Sequence, residues 1–594
     1  MAEKVDKNLK IRKRLQRAIA SESENRDLAL KDIKFRNGQQ WPESVKKERE
    51  EEGRPCLTFN RTEGFIDQVT GDNRQNKIDI KVMSTDGSPL GPLYEALINQ
   101  IEYKSKATIA YNTALDHAAG SGFGWIRVNT KYLKGTFDQE CEIRRITNQF
   151  TVYCDPDATE LTKYDAKYMF VSTYMEKEEF EKKYPGKNGS PDTGDGEAYE
   201  NWYGDKIRLA EYFEIRETEI ELCLLEGNNV VEYDPKIPKE LILKKRTDIR
   251  REVYRSLVTG NDVLEEPVRI PGEFIPLIPV YGKELHIEGK TVYRGVIRHA
   301  KDAMTAYNYH RNASAESVGT APKIPWLATA DQVEGYEAIW QTANTKNHSY
   351  LPYNHQVGQP IPQRVMPAQV PTGAVNEAMM AVEDLKATTG LFDASLGAKG
   401  NETSGKAILA RQSQGDNATF AYHDNLAVAI EQVGRVLVSM IPEVYDSSRT
   451  IAVRQDGKEQ QVPINDPQED GGVVNDLRLG NYEVVVKTGT SYASQRLEAR
   501  DTLMQLVQVS PELRMNAMDK VMETFEFPGA DELAQRLRPA DPNNPPPPTA
   551  EQQVEMATQQ AEMKKAEGVI ATAEAKLAEA QYNLAMIGVN SEQQ

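Results

Sequence analysis

Cysteine is scarce in this chain: Cys56, Cys141, Cys154 and Cys223 are the only four in 594 residues, and no two stand at CxxC spacing. That excludes a zinc ribbon and a disulfide framework, and it points to reduced thiols in a cytosolic compartment. Histidine is equally thin. His299 and His310 share one expected helix without the i, i+4 spacing of a metal pair, while His117, His286, His348, His355 and His423 are dispersed and no HExxH occurs. No metal or other cofactor is expected. Long apolar runs are missing too: the most apolar stretch, Leu426 to Ile441, is broken by Glu431 and Arg435, so no bare membrane-spanning helix is expected. The opening MAEKVDKNLKIRKRL has no apolar segment behind its charged start and does not read as a secretory signal. Positive charge is in deficit, with a formal net charge of -18. A protein that grips a nucleic-acid backbone does so with Lys and Arg that displace counterions, so that class is disfavoured. Acidity leaves DNA open as cargo, because a weakly repelling wall lets a polyanion slide.

What is present is an ordinary folding composition, 39% hydrophobic and 27% charged, over a length that suggests roughly four domain-sized units. The first sixty residues open with a basic, helix-compatible segment (Lys10, Arg12, Lys13, Arg14, Arg17), read as a solvated helix face in preference to a DNA or capsid contact. Leu93 to Gly120 is helical in pattern. GFGWIRVNT (122–130), CEIRRIT (141–147), YMFVSTY (168–174) and IRLAEYFEIRE (207–217) then read as strands, and the series continues to about Val280. It includes the basic run LKKRTDIRREVYR (243–255), whose alternation predicts an exposed strand face. Val292, Val296, Ala300, Ala303 and Tyr307 place an apolar stripe on a long helix running to about Gly319. Val375, Ala378, Met379, Val382 and Leu385 repeat the stripe, with Gly390 as the stop. Seven prolines, from Pro322 to Pro371, lie between the two and predict a small mixed insert.

After the loop LFDASLGAKGNE (391–402), a proline-free stretch from Thr403 to Ile441 predicts one long helix, striped by Leu426, Ile430, Val433, Leu437 and Met440. Short strands (451–455 and 482–488) and helices from Ser494 to Leu537 follow. DPNNPPPP (541–548) is a stiff spacer. Beyond it Met556, Met563, Ile570, Leu577 and Leu584 recur every seven residues, a heptad seam that predicts packing on copies of itself.

Chemistry is harder to find. GNETSGK (400–406) matches seven places of a phosphate-cradling loop, but Ala407 stands where a magnesium-binding hydroxyl belongs, and LFDASLGAK is not a strand. A loop leading into a helix is the expectation. Asp155 and Asp157 in YCDPDA suit a turn better than a metal site. No catalytic constellation emerges, and the protein is expected not to be an enzyme.

Taken in order, QWP (40–42), RPCLTFNR (54–61), TGDNRQNKI (70–78), FTVYCDPDAT (150–159), ETSGKAILARQSQGD (402–416), NLAVAIEQVGRVLVSMIPEVYD (425–446), GNYEVVVKTGTSYASQRLEA (480–499) and ADELAQRL (530–537) resemble the portal proteins of short-tailed phages of the Salmonella phage type. The likeness runs from about residue 10 to about residue 540. It implies an α+β multidomain portal fold, divided as a β-rich wing with N-terminal helices (1–290), a first stem helix (291–318), a small mixed clip (319–373), a second stem helix (374–390), a tunnel loop (391–402), wing and crown elements (403–540), a proline linker (541–549) and a short C-terminal coiled-coil-like helix (550–594). The last is shorter than the barrel such proteins carry. The resemblance further implies a ring of twelve subunits at one capsid vertex and double-stranded DNA as transported cargo, with Lys399 as a DNA-facing candidate in the tunnel loop. Terminase, a tail adaptor, and the major capsid and scaffolding proteins are the implied partners. The implied location is the virion, with assembly in the host cytoplasm. A tail or baseplate structural protein and a nucleotide-binding packaging enzyme are the rival readings.

Overall fold

A computed structural model describes residues 2–75, 78–187, 206–225, 230–238, 241–259, 262–320, 326–365, 372–390, 419–455, 458–468, 472–488, 565, 572–573 and 575–581. The chain divides into two units, Met1–Ser494 and Gln495–Gln594. In the second unit the described residues are helical and exposed; most of the heptad segment, the proline spacer and the expected helices from Ser494 to Leu537 lie outside the described residues.

The first unit begins with α1 (Ala2–Arg36), α2 (Glu43–Glu51) and α3 (Thr62–Gln75). At 35 residues α1 is about 52 Å long. Its apolar face, Ile11, Leu15, Ala18 and Ile19, covers Tyr153, Phe170, Ala210 and Tyr212 of the large sheet. The basic segment is therefore not simply a solvated face: Arg14 donates to Tyr212 Oη and, at 2.7 Å, to Glu214, and Arg17 forms a bidentate pair with Asp157 at 2.7 and 2.9 Å. Long-range partners decide this, and periodicity does not report them.

Strand β1 (Ile78–Ser84) precedes α4 (Gly91–Ser105) and α5 (Ala107–Ser121). The helical stretch after Leu93 is thus two helices, broken where Lys106 takes the left-handed conformation with φ 52°. Strands β2 (Phe123–Tyr132) and β3 (Gln139–Arg145) form a hairpin against α5. The approach is so close that a Cβ on Gly124 would lie 2.2 Å from the Ala114 carbonyl oxygen. Next come β4 (Val152–Cys154), β5 (Tyr168–Glu176), α6 (Lys177–Lys183), β6 (Lys206–Leu225), β7 (Val230–Glu232), β8 (Ile242–Val258) and β9 (Val263–Ile270). They build one antiparallel sheet in the order β4-β5-β6-β8-β9, with β7 added to β6. The basic run 243–255 lies in β8, mostly exposed as its alternation predicts. Strand β10 (Leu277–Tyr281) completes the small sheet β10-β2-β3.

Strands continue past Val280. The hairpin β11 (Lys283–Ile287) and β12 (Lys290–Arg294) leads directly into α7 (Val296–Thr320). Val292 therefore belongs to a strand, paired with Leu285, and the helix starts four residues later than the stripe suggests. The switch falls at Gly295, where a Cβ would meet the Ala119 carbonyl oxygen at 2.4 Å. Only glycine lets the chain pass there. The insert contains β13 (Trp326–Leu327), α8 (Ala330–Val333), α9 (Glu337–Gln341) and β14 (Gln363–Arg364). Helix α10 (Thr372–Thr389) returns along α7, burying Ala378, Ala381 and Leu385 in the core that holds Ala300, Met304 and Tyr307. Met379, part of the expected stripe, points outward. Gly390, at φ 73°, ends the helix as expected.

Helix α11 (Phe420–Val444) buries all five stripe residues from Leu426 to Met440. The part of that expected helix before residue 419 lies outside the described residues. Hairpins β15 (Arg449–Gln455) with β16 (Lys458–Ile464) and β17 (Asp466–Pro467) with β18 (Val473–Val474) follow. The last strand, β19 (Tyr482–Thr488), pairs antiparallel with β1 from the far end of the sequence.

Candidate assembly and channel surfaces

Helix α7 is held in place by a polar ladder that periodicity does not disclose. Near its start, Asp32 of α1 is fully buried and accepts from Arg298 Nη2 at 2.8 Å, while Lys301 Nζ sits 2.6 Å from its other oxygen. Farther along, Asn308, Asn312 and Glu316 recur every four residues and so share one face. Asn308 donates to Gln40 Oε1 at 2.6 Å and accepts from Phe59 N–H at 2.8 Å. Asn312 accepts from Leu57 N–H and donates to Leu57 C=O, both at 2.7 Å. Glu316 accepts from Arg49 and Arg54 at 3.2 and 2.9 Å. The extended segment 55–60 thereby spends its main-chain groups on helix side chains in place of a sheet, which satisfies buried polar groups on both partners. The one signal in the sequence is the four-residue recurrence of Asn308, Asn312 and Glu316 along the helix.

On the outward surfaces of the helix pair three large apolar side chains, Tyr309 on α7 and Met379 and Met380 on α10, are exposed among polar neighbours such as Glu383 and Asp384. The insert is held by its own small core. Trp326 and Trp340 meet edge to face at 5.4 Å, Arg364 lies over Trp326, Trp340 Nε1 donates to Pro352 C=O at 2.8 Å, and Gln332 ties the turn to Pro360 C=O at 2.9 Å. Outside that core Leu327, Tyr350, Val357 and Ile361 are exposed. Exposed apolar residues clustered on so small an element mark contact surfaces.

The chemical candidates resolve differently. Asp155 is buried in a turn, its carboxylate accepting from Asp157 N–H and Lys167 N–H, both at 3.2 Å, and Asp157 is engaged by Arg17. These two aspartates build a turn, as expected. Among the described residues no group of three or more His, Cys, Asp or Glu could hold a metal ion. Burial pushes the Cys141 thiol up to about 12 and raises the Cys154 thiol well above its ordinary value, so both stay protonated. Among the described residues no helix is long and apolar enough to cross a membrane. Lys399, the tunnel loop and GNETSGK lie outside the described residues.

The profile described as "Phage P22-like portal protein" matches residues 12–585. The chain belongs to that family. It is also 28% identical to a protein named "Portal protein" from Acyrthosiphon pisum secondary endosymbiont phage 1, over 91% of this chain and 81% of that one. As a P22-like portal protein it is a structural, head-tail connector component of a phage, with the mixed α+β fold expected of one. The match also extends past residue 540, where the resemblance in short strings stops. Heptads rich in alanine and glutamine leave few distinctive strings to notice.

Proposed function

We propose that this portal protein closes into a ring, of twelve subunits by family pattern, that stands at one capsid vertex and conducts double-stranded DNA during packaging and ejection. In this reading α7 and α10 are the stem, the insert between them is the clip, residues 1–290 with their large sheet form the wing, and 403–540 complete wing and crown. The tunnel loop 391–402 faces the channel with Lys399 toward DNA. The clip receives the terminase motor and later a tail adaptor, and the major capsid and scaffolding proteins meet the outer surfaces. The observation that carries the reading is the helix pair α7 and α10 bracketing a self-supporting insert, with Tyr309, Met379 and Met380 left uncovered in the single chain. Residues of that kind are covered when a neighbour packs beside them. The acidic balance, -18 per chain, suits a wall along which DNA slides. Electron micrographs together with the mass in solution test it. Closed rings with a central hole are expected, and a protein that stays monomeric at micromolar concentration, or grows into open filaments, refutes it.

A further inference from the structure

Among the described residues the most exposed large apolar side chain is Phe137, at 100% exposure, on the tip of the β2-β3 hairpin, with Tyr132 at 67% beside it. This tip is not a loose loop. Gly135, at φ 80°, makes the turn, and Leu133 N–H donates to Asp138 C=O at 2.9 Å. Asp138 accepts from Ser447 Oγ at 2.9 Å, Arg449 donates to Gln139 C=O at 3.0 Å, and Lys104 pairs with Glu140 at 2.7 Å. Three separate elements thus hold the base of a hairpin whose end presents two aromatic rings to water. At the tip Lys131 pairs with Glu142 at 3.2 Å, and Lys134 stands in the turn ahead of Phe137 and Asp138.

A cavity of about 680 Å3 opens elsewhere on the same unit, within the range of side-chain and ligand pockets. Its apolar wall is Leu30 and Ile33 of α1 and Phe150. Arg36 is bracketed there by Glu63 and Asp116, with Arg36 nitrogens 2.7 and 2.8 Å from their oxygens, so the trio keeps one net negative charge. Asp27 and Lys34 stand at the rim, and Arg26 is turned away to Glu22 and the Phe150 carbonyl. Helices α1 and α5 both end beside this cavity, at Arg36 and Ser121, and helix C-termini favour positive charge.

Knob and cavity sit at opposite ends of one layer. The cavity lies beside the C-terminus of α5, where Phe150 touches Phe123 at 5.8 Å, and the knob lies past the Tyr132 end of β2. Ten strand residues separate them by about 30 Å. One chain cannot fill its own cavity. A ring needs two different, complementary patches on each subunit, one for each neighbour.

We propose that Phe137 and Tyr132 of one subunit insert into the Leu30–Ile33–Phe150 cavity of the next copy of this chain, with Lys134 facing the acidic trio and Asp27. The proposal rests on the ring reading above and names one of its contacts. Preorganisation of the hairpin keeps the ordering cost of that contact low.

The test is a covalent trap in the full chain, with Cys56→Ser removing the partly exposed native thiol. Phe137→Cys combined with Ile33→Cys, oxidised and run without reductant, should give a ladder of covalent oligomers, while either substitution alone should not. Phe137→Asp should raise the concentration for half-assembly at least tenfold by sedimentation, with an unchanged melting curve of the dissociated chain, because the side chain is fully exposed among the described residues. Rings that form in the parent protein, without a ladder and with Phe137→Asp assembling normally, overturn the knob-and-cavity contact and leave the ring intact. A parent protein that never assembles overturns both.

Discussion

Replacing Asp32 by alanine tests whether α7 is positioned by the buried charge cluster. Asp32 is fully buried, while Arg298 and Lys301 are mostly covered, and their nitrogens lie 2.8 and 2.6 Å from its two oxygens. Removing the carboxylate strands two cations in a low-dielectric junction. Breaking a buried pair from one side costs about 3–5 kcal/mol. Both cations retain some exposure, so the loss should fall near about 3 kcal/mol, a factor of roughly a hundred in the folding equilibrium. The triple variant Asp32→Leu, Arg298→Met, Lys301→Met removes the desolvation penalty together with the attraction and should lose less than the single variant. The assay is denaturant unfolding followed by intrinsic fluorescence, comparing midpoints at unchanged slope. If Asp32→Ala costs under about 1 kcal/mol, or the triple variant is the worse of the two, the cluster does not position the helix.

Other outcomes follow from single residues. Gly124→Ala would bring a Cβ within 2.2 Å of the Ala114 carbonyl oxygen and should cost several kcal/mol, about 3 or more, read as a collapse of soluble yield or melting temperature. His423 is 8% exposed, and burial pushes its imidazole down to about 4. The folded state then binds fewer protons than the unfolded one between roughly pH 4 and 6.5. Stability should therefore be full above about pH 6.5 and fall by up to about 3 kcal/mol as pH drops toward 4. His423→Gln should flatten that slope, and an unchanged pH profile in the variant would count against it. A truncation after Ala540 should still assemble into rings of the same subunit number, read from the mass in solution, since stem and wing contacts are expected to dominate; a monomer would assign assembly to the heptad segment.

The sequence by itself determined the elements whose partners are local. Alternation placed β2, β3, β5, β6 and β8, and the 3.6-residue stripe placed α10 and α11, because a strand or helix with one apolar face has that face written into its own residues. The order of short strings, which needs no structure, pointed to the portal family. Only the tertiary structure decided matters that depend on residues far apart in the chain. Val292 fits the helical stripe, yet its neighbour Leu285 and the tight passage at Gly295 make it a strand. Lys106 interrupts a continuous helical pattern in a conformation that no lysine announces. The contact of Asp32 with Arg298, the asparagine ladder on segment 55–60 and the pairing of β1 with β19 join positions hundreds of residues apart. Polar partners of that kind carry no periodicity, because each needs only one correctly placed group on another element. The knob at Phe137 shows the same limit from the other side: a phenylalanine in a turn reads as nothing in particular until the fold shows that, among the described residues, none covers it.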